Sequence, residues 1–147
     1  MESLEVTPSF WKNKRVLVTG HTGFKGSWLT IWLKKLGAEV IGYSNSILTT
    51  PSLYDLSGIN SEIISITGDI RDFSELENTL SEYKPEIILH LAAQSLVNNS
   101  YEDPIETYST NVMGTVNLFE AVRRSDNPSL IINVTSDKCY ENKETMN

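Results

Sequence analysis

Gly20-His21-Thr22-Gly23-Phe24-Lys25-Gly26 sets three glycines three residues apart, directly behind the run Arg15-Val16-Leu17-Val18-Thr19 and ahead of a segment of helical period. Glycines so placed let the backbone turn sharply, let a pyrophosphate approach, and let a helix pack tightly on a strand. The helix N-terminus adds free N–H groups and the positive end of its dipole. The chemistry is capture of a dinucleotide's diphosphate, with Gly20, His21, Thr22, Gly23, Phe24, Lys25 and Gly26 as candidate contacts. No Gly-Lys-Ser/Thr follows, so the spacing is not that of a P-loop.

Other chemistry-bearing groups recur just after apolar runs. About 20 residues past the glycines an acid for the adenosine ribose, or an arginine for a 2′-phosphate, is expected. Tyr43, Ser44, Asn45 and Ser46 stand there instead, which leaves NAD and NADP open. The lack of Lys or Arg from Val40 up to Arg71 leaves a 2′-phosphate without a charge partner, although Lys25 or His21 could reach a phosphate from the loop. Asp69, in Gly68-Asp69-Ile70, could meet an adenine amino group or simply form a turn or cap. In His90-Leu91-Ala92-Ala93-Gln94 small residues allow a cofactor to lie against backbone, and His90 reads as a packed strand histidine rather than a catalyst. Thr135-Ser136-Asp137-Lys138 crowds a hydroxyl, an acid and a base together; the plain alternative is a solvated loop with an Asp–Lys pair.

These groups need strands and helices in alternation to hold them, and the chain supplies that pattern. Strands are predicted at Arg15 to Thr19, Glu39 to Tyr43, Ile63 to Thr67, Glu86 to Leu91 and Ser129 to Thr135. Helices are predicted from Phe24 to Leu36, ending before Gly37, with the stripe Phe24, Trp28, Ile31, Trp32 and Leu36, and from Asp72 to Tyr83, opened by a capping-box pattern. A long helix from Pro104 to Arg124 has the stripe Ile105, Tyr108, Val112, Val116, Phe119 and Val122, which should serve its own sheet. Met113, Val116 and Leu118 are left to be shared between core and partner. Ser44 to Glu62 reads as an irregular loop with a turn near Leu53 to Leu56. The result is an α/β fold, a Rossmann-like doubly wound parallel sheet, over residues 1–147 as one domain.

With 147 residues there is no room for a second full domain. Twelve Lys+Arg against nineteen Asp+Glu, a net charge of −7, argue against a nucleic-acid partner. A single cysteine, Cys139, excludes an intrachain disulfide, and no apolar run reaches the length of a membrane span or forms a signal peptide. A cytoplasmic location is expected.

The segments Phe10-Trp11, Val16 to Leu29, Gly68 to Asp72, His90 to Gln94, Ser100 to Thr115 and Thr135 to Glu144 together resemble the extended short-chain dehydrogenase/reductase superfamily. Within it they are most similar to nucleotide-sugar 4,6-dehydratases. The resemblance implies tightly bound, recycled NAD, a nucleotide-sugar substrate with CDP-glucose suspected, oxidation at carbon 4, loss of water across carbons 5 and 6, and return of hydride to carbon 6. It implies Ser136 on the carbon-4 hydroxyl, Asp137 as the acid for the leaving carbon-6 hydroxyl and Lys138 as an aid to loss of the carbon-5 proton. Cofactor contacts would add Ser44, Asp69, Ile70, Leu91, Ala92, Ala93, Gln94, Thr110 and Thr135 to the glycine loop, and the Pro104 to Arg124 helix would build a homodimer. The family's Tyr-x-x-x-Lys is not found, since no tyrosine here has a lysine four residues later, and Asn98 stands where an arginine is usual. The expectation is an N-terminal cofactor-binding part, inactive alone, with the missing motif beyond Asn147. The rival readings are a nucleotide-sugar epimerase or reductase, and a non-catalytic dinucleotide-binding module.

Overall fold

The computed structural model describes residues 7–127 and 129–136. Strands β1 (Arg15–Thr19), β2 (Glu39–Ser44), β3 (Ile64–Thr67), β4 (Ile87–His90) and β5 (Leu130–Asn133) form one sheet in the order β3-β2-β1-β4-β5. Every pairing is parallel, with Thr19 opposite Tyr43 on one side and His90 on the other. The chain therefore reverses its direction of travel across the sheet beside β1. Ligands of such sheets bind in the crevice at that point, outside the carboxyl ends of the strands.

The helices are α1 (Pro8–Trp11), α2 (Phe24–Lys35), α3 (Leu53–Ser57), α4 (Phe73–Tyr83), α5 (Val97–Glu102), α6 (Pro104–Tyr108) and α7 (Gly114–Arg124). A 3₁₀ turn, Ile59–Glu62, follows α3, and a π-helical turn, Ser109–Met113, joins α6 to α7. The predicted cap at Asp72 is present, accepting the Glu75 N–H at 3.0 Å, and Asp103 caps α6 in the same way, accepting the Glu106 N–H at 2.9 Å. The capping box at Asp72 stays half made, because the Glu75 carboxylate takes the Tyr43 hydroxyl and the Asp69 N–H instead.

Helices cover both faces, as a doubly wound sheet requires. Leu17, Ile41, Tyr43 and Ile88 pack against Leu76 and Leu80 of α4 and Leu118 and Ala121 of α7. On the other face Val16, Val18, Val40, Ile87 and Leu89 meet Leu33 of α2, with Leu29 and Trp11 at the margin. Arg124 lies 4.9 Å over the Phe73 ring and pairs with Glu77 and Glu120, which fastens the end of α7 to α4.

Both apolar stripes differ from expectation. In α2 the buried residues are Gly26, Ser27, Thr30 and Leu33, whereas Phe24 is 72%, Trp28 55% and Trp32 52% exposed. The glycine loop brings the first turns of this helix so close to the sheet that only the small Gly26, Ser27 and Thr30 fit beneath them, and Leu33 reaches the core further on. In α7 the inward residues are Gly114, Leu118 and Ala121, and Ile105, Tyr108, Val112, Met113, Val116 and Phe119 are exposed. A Cβ on Gly114 would stand 2.6 Å from the Ile70 side chain, so close packing again turns the larger row outward. Leu118, expected to be shared with a partner, is fully buried in the core. Helices α1 and α5 lie outside the elements that the apolar spacing predicts.

Candidate cofactor site

Gly20 ends β1 at φ +75°, and its N–H donates to the Tyr43 carbonyl at 2.8 Å. A Cβ there would lie 2.9 Å from the Ala92 nitrogen, so only glycine lets the loop pass this close to the chain leaving β4. Gly26 is tighter still, with its missing Cβ 2.0 Å from the Gly20 carbonyl oxygen. Gly23 is the N-cap of α2 and brings no side chain to its first-turn N–H groups. Ser27 secures the turn from inside, donating through Oγ to the Gly23 and His21 carbonyls. The outcome is a glycine-walled cradle at a twelve-residue helix N-terminus, with shape and polarity that suit a diphosphate. Lys25 and Phe24 are exposed at its mouth.

His21 corrects the sequence reading, because its side chain cannot reach a phosphate. Its ring is buried against Gly42 of β2, where a Cβ would stand 2.3 Å away, and its Nε2 is 2.8 Å from Ser65 Oγ. Tyr54 meets the ring edge-on at 5.2 Å and donates its hydroxyl to the same Ser65 oxygen. Burial pushes the His21 pKa down, partly offset by the Tyr43 carbonyl, so the ring is neutral packing under the loop.

Thr22 and Ser44 bond each other at 2.8 Å, and Thr22 also donates to the Ser46 carbonyl. These contacts join the glycine loop to the end of β2, where an adenosine ribose would be expected. Asp69 is engaged by Arg71, which donates through its backbone N–H and its guanidinium; Asn45 adds a further bond. The Arg71 contact holds the Asp69 carboxyl below its usual range. Arg71 in turn sits 4.0 Å from Glu106. This guanidinium near the end of β2 is thus balanced by two carboxylates. Ile70 turns its side chain into the core and gives its carbonyl to Asn117.

Past β4, Leu91 and Ala92 are half-buried against the two cores and Ala93 is exposed. Gln94 is held on both sides, since its N–H donates to Asn111 Oδ1 at 2.8 Å and its carbonyl accepts Asn111 Nδ2 at 2.9 Å. Asn111 lies in the π-helical turn beside Thr110, which is half-buried. Sequence reasoning missed Asn111; the only signal was its place in the Ser100 to Thr115 segment. Thr135 and Ser136 are exposed and follow β5, whose pairing with β4 continues through the Val134 N–H to the His90 carbonyl. They emerge at the same sheet end as the glycine loop. Asp137 and Lys138 lie outside the described residues. Among the described residues no group of three or more His, Cys, Asp or Glu could hold a metal, and no helix is long and apolar enough to cross a membrane.

Comparison with known proteins agrees with this arrangement. A model of the GDP-mannose 4,6 dehydratase family matches residues 17–146. CDP-glucose 4,6-dehydratase of Salmonella typhimurium is 56% identical over 139 residues, 95% of this chain and 39% of that protein. The NAD complex of UDP-glucose 4-epimerase from Thermus thermophilus is 34% identical, with a TM-score of 0.67, over 75% of this chain and 34% of that one. A UDP-glucose 4-epimerase from Stenotrophomonas maltophila, with bound NAD and formylated UDP-arabinopyranose, reaches a TM-score of 0.76 over 91% of this chain and 40% of its own. At 23% identity that likeness concerns the fold. The chain spans about two fifths of the length of the first of these relatives. With the parallel sheet, the glycine cradle and a match over nearly all its residues, the chain belongs to the GDP-mannose 4,6 dehydratase family.

Proposed function

We propose that residues 1–147 are the NAD-binding domain of a nucleotide-sugar 4,6-dehydratase that converts CDP-glucose to CDP-4-keto-6-deoxyglucose and water, a step of deoxysugar biosynthesis in the cytoplasm. The observation that carries the cofactor reading is the cradle: Gly20 at positive φ, Gly26 against its carbonyl, and the uncapped N-terminus of α2. The substrate reading rests on 56% identity to a CDP-glucose 4,6-dehydratase. NAD rather than NADP is supported by the balanced Asp69–Arg71–Glu106 group and by the absence of any other Lys or Arg from Val40 to Arg71.

Bound there, NAD supplies a reversible hydride acceptor for carbon 4 of the sugar. Gly20 to Gly26 hold the diphosphate, and the Leu91 to Gln94 backbone and Thr110 line the remainder. In this reading Ser136 hydrogen-bonds the carbon-4 hydroxyl, Asp137 protonates the departing carbon-6 hydroxyl, and Lys138 assists removal of the carbon-5 proton, which the 4-keto group has made acidic. The outward row of α6 and α7 is the proposed homodimer face.

The test is turnover of CDP-glucose by the longer protein that contains this chain. It should release the 4-keto-6-deoxy product, and Asp137→Asn should spare the oxidation while slowing water loss by ~10²–10⁴-fold. Finding that Asp137→Asn stops hydride transfer and leaves elimination intact would overturn the role given to Asp137. Conversion of UDP-glucose to UDP-galactose without loss of water would favour the epimerase reading, which the 34% identity to an epimerase supports.

A further inference from the structure

His90 is buried at the end of β4, and both its ring nitrogens are bonded: Nδ1 is 2.6 Å from Thr19 Oγ1 and Nε2 is 3.0 Å from Thr115 Oγ1. The direction of each bond follows from counting donors. Thr19 Oγ1 accepts the Ala92 N–H at 3.1 Å and the Leu91 N–H at 3.1 Å, the latter shared with the Thr19 carbonyl at 3.2 Å, which occupies its lone pairs and leaves its own proton for His90 Nδ1. The ring proton is therefore on Nε2, donated to Thr115, whose hydroxyl donates in turn to the Asn111 carbonyl at 2.8 Å. A single directed chain of hydrogen bonds runs from the end of β1, through β4, to the π-helical turn between α6 and α7. The two ends of this chain grip one stretch of backbone: Thr19 takes the amides of Leu91 and Ala92, and Asn111 takes both polar groups of Gln94. That stretch also touches the glycine loop, since a Cβ at Gly20 would lie 2.9 Å from the Ala92 nitrogen.

We propose that His90 is a positioning residue for cofactor binding, acting as the neutral Nε2–H imidazole that joins Thr19 to Thr115 and so fixes the Leu91 to Gln94 backbone beside the diphosphate cradle. This rests on the NAD reading above. A catalytic histidine would need a free nitrogen, and this ring has none.

Two measurements on the 147-residue chain test it. In ¹⁵N NMR the His90 ring at pH 7 should show a protonated Nε2 and a bare Nδ1; the Nδ1–H tautomer or an imidazolium would overturn the assignment. In NAD titrations His90→Phe should weaken binding by about tenfold, the order expected for loss of a net hydrogen bond, with a smaller loss in His90→Gln, which keeps a donor toward Thr115. Thr115→Val, which removes the acceptor facing Nε2 together with the hydroxyl bond to the Asn111 carbonyl, should also weaken binding, and it tests the same joint if His90→Phe does not fold. Wild-type chain that binds NAD, alongside a folded His90→Phe or Thr115→Val that binds it equally well, removes the positioning role and leaves the cofactor reading standing. Wild-type chain that binds no NAD removes both.

Discussion

His90 is held neutral by its surroundings, and this ties stability to pH. Burial pushes its pKa down to about 4, against ~6.5 for an unhindered histidine. The unfolded chain therefore takes up a proton that the folded chain refuses as the pH falls from ~6.5 toward 4. The stability is fully present above that window and is lost within it, by up to about 3 kcal/mol from this residue. His21, lowered in the same direction, adds to the same loss. Asp69 and Glu86, whose carboxyls are held below their usual range by Arg71 and Lys14, lose their contribution only at lower pH. Urea unfolding at about pH 7 and about pH 4.5 should show a clear drop in midpoint for the wild-type chain and a shallower one for His90→Gln; equal drops would mean that His90 is not the titrating group.

In the π-helical turn between α6 and α7 the Asn111 side chain clamps the Gln94 backbone while its carbonyl takes the Thr115 hydroxyl. Asn111→Leu should cost about 1–3 kcal/mol for each Gln94 group left unpaired. Amide hydrogen exchange should then speed up at Gln94 while β1 is unaffected; unchanged protection at Gln94 would contradict the clamp. At this scale local signals are readable from the residues. The caps at Asp72 and Asp103, the β1–glycine–α2 unit and the alternation of strands and helices all depend on neighbours within a few positions. What is not readable depends on remote contacts. The largest side chains of α2 and of α6–α7 have the spacing of a core stripe, yet close approach to the glycine loop and to Ile70 puts Gly26, Ser27, Gly114 and Ala121 inside. The His21 ring could be placed only by knowing that Gly42 on β2 leaves room for it, and nothing in the spacing of Ser109 to Met113 announces a π turn. His90 is legible as a packed strand histidine, because a polar residue inside a run of Ile and Leu needs its partners nearby.

Across the whole molecule the exposed row of Ile105, Tyr108, Val112, Val116 and Phe119 is an apolar surface that no other described residue covers. Monomeric proteins seldom expose a continuous surface of this kind, which supports the proposed homodimer. Sedimentation at ~100 µM, above typical specific dissociation constants, should report a dimer for the wild-type chain and a monomer for Val116→Glu; a wild-type monomer would count against the α6–α7 interface. The cradle between β1 and α2 is proposed to bind the diphosphate of NAD, which titration calorimetry of the 147-residue chain with NAD measures without an intervening step. Binding should saturate at one site per chain, be weaker for NADP, and be lost in Gly23→Val, whose side chain would stand at the mouth of α2. Absence of saturable binding by the wild-type chain, or undiminished affinity in Gly23→Val, would contradict it.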